Sequence, residues 1–116
     1  MDDIKVRLAE EFGTDIMHLS DFLIKQKCNS AIITQVLKSG TSIGANIYEA
    51  IYAESNSDFI HKLRISQKEA SETKYWLKLL VNTNYIDQDY FNILFSKCEV
   101  ILKILSSIIK SCNKEI

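Results

Sequence analysis

Proline is absent from this 116-residue chain, and glycine occurs only three times. A chain with so few turn formers makes few sharp reversals, so a few long helices fit better than many short strands. Cysteine is as scarce. Cys28, Cys98 and Cys112 are odd in number, widely spaced and without a CxxC pair, which reads as reduced thiols in a cytoplasmic protein. Neither sign of charge prevails: the formal net charge is −1. That excludes a surface coated in lysine and arginine but leaves room for a local basic patch. Long hydrophobic runs are missing as well. The most apolar stretch, "VILKILSSII", is too short and interrupted to span a bilayer. The opening "MDDIKVRLAEEF" has two acids after Met1 and no apolar run of the secretory type. The expectation is one soluble, cytoplasmic domain over residues 1–116 with no membrane partner. At this length it buries roughly two-thirds of its unfolded-chain surface without disulfide or metal staples.

What is present is helical periodicity. From about Asp3 to Gln26, Ile4, Leu8, Phe12, Ile16, Leu19 and Leu23 step by three or four, the spacing of one helical face. "KCNS" breaks the pattern, with Asn29 or Ser30 as N-cap. A second segment, Ser30 to Ala53, carries Ile33, Val36, Gly40, Ile43, Ile47 and Ala50 on one face. "ESNSD" separates it from a third, Asp58 to Val81, with Ser57 as the expected cap. "NTNYID" then leads to Asp87 as cap of a fourth, in which Phe91, Leu94, Cys98, Ile101, Leu105, Ile108 and Cys112 step three and four throughout. Four helices joined by short loops predict an all-α, antiparallel up-down-up-down four-helix bundle. The fourth helix carries Ile93, Val100, Leu102, Ile104 and Ile109 beside that seam. These residues widen the core stripe, or they form a second apolar face that meets another subunit.

The segment "SGTSIGANIYEA" (39–50) gathers small residues around Gly40 and Gly44. It is not a phosphate loop: the two glycines are one residue too close, Ala45-Asn46 replaces the Lys-Ser/Thr pair, and the preceding "AIITQVLK" is helical rather than strand-like. Within a helix, Gly40 and Gly44 share a face. With Ser39 and Ala45, and with Ser66, Ala70 and Thr73 of the third segment, they predict close helix packing. A kink near Ser39-Gly40 is the alternative.

"SGTSIGANIYEA", followed by "AESNSDFIHKLRISQKEASETKYWLKLL", resembles the bacterial four-helix-bundle proteins encoded by intervening sequences in 23S ribosomal RNA genes. The shared pattern runs from Lys38 to Leu77 almost without gaps. The resemblance implies a homopentameric ring of antiparallel four-helix protomers, and no settled activity. A related branch, the accessory proteins of diversity-generating retroelements, forms similar pentamers that bind a reverse transcriptase and RNA.

Chemistry-bearing clusters are few. Asn46 and Glu49 lie three apart on the second segment, and Glu69 and Glu72 three apart on the third, beside Ile65 and Trp76. A di-metal carboxylate site needs Glu-x-x-His motifs, and none occurs, so no metal or cofactor is expected. The residues are read instead as a polar network or interface of Asn46, Glu49, Glu69, Glu72 and Trp76, with Tyr75 nearby. Two histidines, no G-x-S-x-G elbow and no Cys-His pair give no catalytic residue, so an enzyme is not expected. One stripe has binding character: His61, Arg64, Lys68, Ser71, Tyr75 and Lys78, flanked by Lys62 and Lys74. Cations track phosphates and an aromatic ring stacks a base. The plain alternative is a solvated face on which Lys68 pairs with Glu72. The sequence therefore predicts a non-enzymatic, homo-oligomeric scaffold that binds RNA or DNA or a nucleic-acid-handling protein. The alternative is a purely protein-binding module.

Overall fold

The computed structural model describes residues 3–114, the last by its backbone alone. Four helices follow one another: α1 (Ile4–Lys25), α2 (Ser30–Ile51), α3 (Asn56–Asn82) and α4 (Gln88–Lys114). Each start is set by a side chain that accepts from an otherwise unsatisfied backbone N–H. Asp3 accepts from Lys5 and Asn29 from Ala31. Asp87 accepts from Tyr90 at 2.8 Å. The cap of α3 is Ser55, which accepts from the Asp58 N–H at 3.0 Å, rather than the expected Ser57. The helix therefore begins at Asn56, and α2 stops at Ile51, two residues short of expectation.

Two of the turns use left-handed residues without glycine. Lys27 has φ 59° and Asn84 φ 64°. In each, the next residue's N–H reaches five residues back, Cys28 to the Leu23 carbonyl and Tyr85 to the Leu80 carbonyl, both at 3.0 Å. That is the bond that closes a helix end in a Schellman turn.

Cross-links show every neighbour to be antiparallel. Ser66 reaches the Ile43 carbonyl, Lys74 reaches Glu99, and Lys97 reaches Glu11 and Asp15. The helices pack in cyclic order, α1 on α2, α2 on α3, α3 on α4 and α4 on α1, with α1–α4 the thinnest seam; across the diagonal, Lys5 of α1 reaches over the Phe59 ring of α3, 6.0 Å from its centroid. The result is an up-down-up-down bundle of 48 × 24 × 21 Å. Its core is the predicted set of stripes: Phe12, Ile16, Leu19, Leu23, Ile43, Ile47, Leu63, Leu77, Leu94 and Leu105 are all fully buried. No helix among the described residues is long and apolar enough to cross a membrane.

The small residues divide among three seams instead of sharing one. Gly40 faces α1: a Cβ there would lie 2.7 Å from Ile16 Cγ1 and 2.8 Å from its Cγ2. Gly44 also faces α1, at ordinary contact distance from Ala9, while Ala45 is exposed. The α2–α3 seam is closed by hydroxyls: Ser66 Oγ donates to the Ile43 carbonyl at 2.9 Å, and Thr73 Oγ1 lies 2.9 Å from Ser39 Oγ, all buried. Ala70 serves the α3–α4 seam, where its carbonyl accepts from Cys98 Sγ at 3.3 Å. The pairing of the glycines with Ser66, Ala70 and Thr73 is thus corrected, because helical spacing assigns a face but not the neighbour that fills it.

The extra apolar residues of α4 also divide. Ile109 is buried in the core, and Leu102 and Ile104 are half-buried. Ile93 and Val100 remain 56% and 47% exposed.

Candidate nucleic-acid interface

Residues stepping three and four along α3 stack on its outer face, since the opposite stripe (Leu63, Ser66, Ala70, Thr73, Leu77) is held in the core. His61, Arg64, Lys68, Ser71, Tyr75 and Lys78 are all exposed there. From Arg64 to Lys78 the stripe runs about 21 Å along the helix. The acid expected to neutralise Lys68 is otherwise engaged: Glu72 accepts from the Trp76 indole N–H at 3.1 Å. Among the described residues, no hydrogen bond or ion pair involves His61, Arg64 or Lys68.

The stripe borders an open groove between α3 and α4. One stretch, of about 630 Å³, is lined by Gln67, Lys68, Ser71, Leu102 and Ser106. The next, about 210 Å³, is lined by Ser71, Lys74, Tyr75 and Lys78. Gln67 donates to Ser106 Oγ at 3.0 Å across it. Lys74 and Lys78 both sit over the Phe95 ring, at 4.9 and 5.6 Å from its centroid. One carboxylate stands beside them, Glu99, 3.4 Å from Lys74. Two ammonium groups against one carboxylate leave this end of the groove positive. The Tyr75 ring is 55% exposed, and Trp76 braces it edge to face at 5.1 Å. Sequence reasoning missed Gln67, Leu102 and Ser106, because no single-helix pattern shows which residues two helices bring to a common groove.

The remaining polar residues make separate local contacts rather than one network. Asn46 donates to the Ser42 carbonyl of its own helix at 2.8 Å. Glu49 pairs with Lys62 at 3.0 Å, and Glu72 with Trp76. Glu69 is half-buried, and desolvation, then the charge of Glu72, holds its carboxyl above the usual range while Lys38 and Lys68 pull it back. Among the described residues no three His, Cys, Asp or Glu side chains gather as a metal-ligand set. His18 and His61 are both exposed, on α1 and α3.

A family model described as 23S rRNA-intervening sequence protein matches residues 2–107. The chain belongs to that family. It is also similar to a protein of unknown function of the S23 ribosomal protein family from Bacteroides thetaiotaomicron VPI-5482, known from a crystal structure. Sequence identity is 44%, the match covers 91% of this chain and 98% of that one, and the TM-score is 0.89. No curated protein matches the sequence. The relatives thus carry the all-α fold and name no activity.

Proposed function

We propose that this member of the 23S rRNA-intervening sequence protein family is a non-enzymatic, self-associating scaffold, pentameric as its family resemblance implies, that binds nucleic acid or a nucleic-acid-handling protein through α3. The observation that carries the reading is the run of exposed cations, Arg64, Lys68 and Lys78, beside an exposed Tyr75: none of the three is held in an ion pair, although the half-buried Glu69 feels the charge of Lys68. Self-association draws on a different part of the surface. Ile4, Met17 and Ile24 of α1 are exposed. So are Ile93 and Val100, which lie on the same side of α4 as Lys97, and Tyr48, whose hydroxyl donates to Glu10 of α1. Apolar surface therefore collects around α1 while the cations lie on α3, diagonally across the bundle. Assembly through α1 leaves the basic face open.

Light scattering at micromolar concentration tests the assembly, and a stable monomer of 13.3 kDa would refute it. Filter binding across a salt series tests the ligand. Affinity should fall steeply with salt, and substituting glutamate at Arg64 and Lys68 together should abolish it. Salt-insensitive or absent binding leaves the protein-binding module.

A further inference from the structure

We propose that the ligand of this face is a single-stranded polynucleotide lying lengthwise in the α3–α4 groove, with a base stacked on Tyr75 and phosphates held by Lys68, Lys74 and Lys78. The inference rests on the nucleic-acid reading above and adds the kind of strand and its seat. Three features select a single strand over a duplex. The first is shape: the groove lies between two packed helices whose axes are about 8–10 Å apart, and Ser71 is common to both of its stretches, so it is one channel. A duplex is a rod far wider than that space and would touch only its rim.

The second is the aromatic. Tyr75 lines the groove and is 55% exposed, while Trp76 meets it edge to face. A ring in this position gains by stacking only on a base that is not already stacked in a helix. The third is the order of chemistry along the groove. Lysines recur at positions 68, 74 and 78, and neutral hydrogen-bonding groups (Gln67, Ser71, Ser106) and the half-buried Leu102 lie between and opposite them. Cations for phosphates, interleaved with apolar and neutral polar surface for bases and sugars, is what a strand with exposed bases requires. An acidic polypeptide would use the lysines alone.

The test is fluorescence anisotropy on the full chain in its native assembly, with four labelled probes: a 12-nucleotide single-stranded RNA, the DNA of the same sequence, the RNA duplex, and polyglutamate of equal charge. The single strands should bind about tenfold or more tighter than the duplex. Tyr75→Ala should weaken them about tenfold, with Tyr75→Phe close to the parent. Lys68→Gln and Lys78→Gln should each lower the slope of log affinity against log salt by about 1. Circular dichroism confirms that each variant is folded; all three positions are exposed. Tighter binding of the RNA arm assigns the strand to RNA, and tighter binding of the DNA arm to DNA; both support the proposal. Equal or tighter duplex binding, or no effect of Tyr75→Ala while the lysine variants weaken binding, overturns the groove proposal and leaves nucleic-acid binding standing. Polyglutamate binding as tightly as the strands, or no binding of any probe at low salt, overturns both.

Discussion

Replacing Gly40 by alanine sets two opposing terms against each other at one position. Alanine is favoured over glycine inside a helix by about 1 kcal/mol. The added Cβ, however, would stand 2.7 and 2.8 Å from Ile16 Cγ1 and Cγ2, where carbon contacts normally settle at about 3.5–4.0 Å. Ile16 is fully buried, and a β-branched side chain in a helix has essentially one χ1 rotamer, so neither branch can swing away. The helices must separate or the side chain must strain, and overpacking of this kind costs about 1–3 kcal/mol. The net effect is a loss of up to about 2 kcal/mol. Gly13→Ala is the matched control, because a Cβ there meets nothing within 4 Å and the propensity gain of about 1 kcal/mol is kept whole. The two variants should therefore differ by about 1–3 kcal/mol, with Gly13→Ala the more stable. Melts followed by far-UV circular dichroism resolve this at a few degrees per kcal/mol, provided protein concentration is matched, since the proposed self-association would couple Tm to concentration. Gly40→Ala introduced beside Ile16→Ala should lose its penalty, because both obstructing carbons are gone. A Gly40→Ala protein that melts at or above Gly13→Ala would show that α1 and α2 do not meet at this distance.

Burial pushes the Cys98 thiol up to about 12. The folded chain therefore keeps a proton that an unfolded thiol loses above about pH 8.5, and stability should fall by about 1.4 kcal/mol per pH unit above that point; urea melts of Cys98→Ala from pH 8 to 10 should lack this slope component. At neutral pH the half-exposed Cys112 should react with a thiol reagent before Cys98, as counted by mass spectrometry. Thr73→Val should cost about 1 kcal/mol by removing the 2.9 Å bond to the buried Ser39 hydroxyl, which keeps only its long bond to the Val36 carbonyl at 3.4 Å. Adding Ser39→Ala should recover part of that in a double-mutant cycle, because no buried hydroxyl is then left with only one long bond. Lys97 joins α4 to both Glu11 and Asp15 at 2.8 Å, and it holds the Glu11 carboxyl below its usual range. Lys97→Met should abolish the part of stability that is present above the ordinary carboxylate range and lost as pH falls through the lowered one, read from acid titration of the melts.

Much of the fold was legible because helix faces repeat at three and four residues, a signal that survives without partners. The stripes named from sequence are the buried ones except toward their ends, where Ile4 is exposed and Leu8, Phe91, Ile108 and Cys112 are half-buried, and Asn29 and Asp87 cap where expected. The α3 cap was displaced because Ser55, Asn56 and Ser57 are all residue types that favour a cap, and periodicity does not choose among them. Ile109 looked peripheral beside a strict seven-residue seam, yet a real helix drifts about 20° per heptad against that repeat. By the end of α4 the drift has carried it into the core. The site was half legible. Exposure of the α3 stripe follows from its helix alone, whereas the release of Lys68 depended on Glu72 turning to Trp76. The convergence of Lys74 and Lys78 over Phe95 needed a second helix in place.

The thin seam between α1 and α4 also bears on how the chain folds. Every other seam joins helices consecutive in sequence, so three hairpins can form through short loops. The Lys97–Glu11 contact links residues 86 positions apart, and contacts so distant carry the largest loop-closure cost of the four seams. Docking of α1 on α4 is thus the step that converts three successive hairpins into a closed ring of helices. With little surface to reward it, this seam is also the one through which the bundle first reopens, and amides of α1 should exchange with solvent ahead of those in α2 and α3.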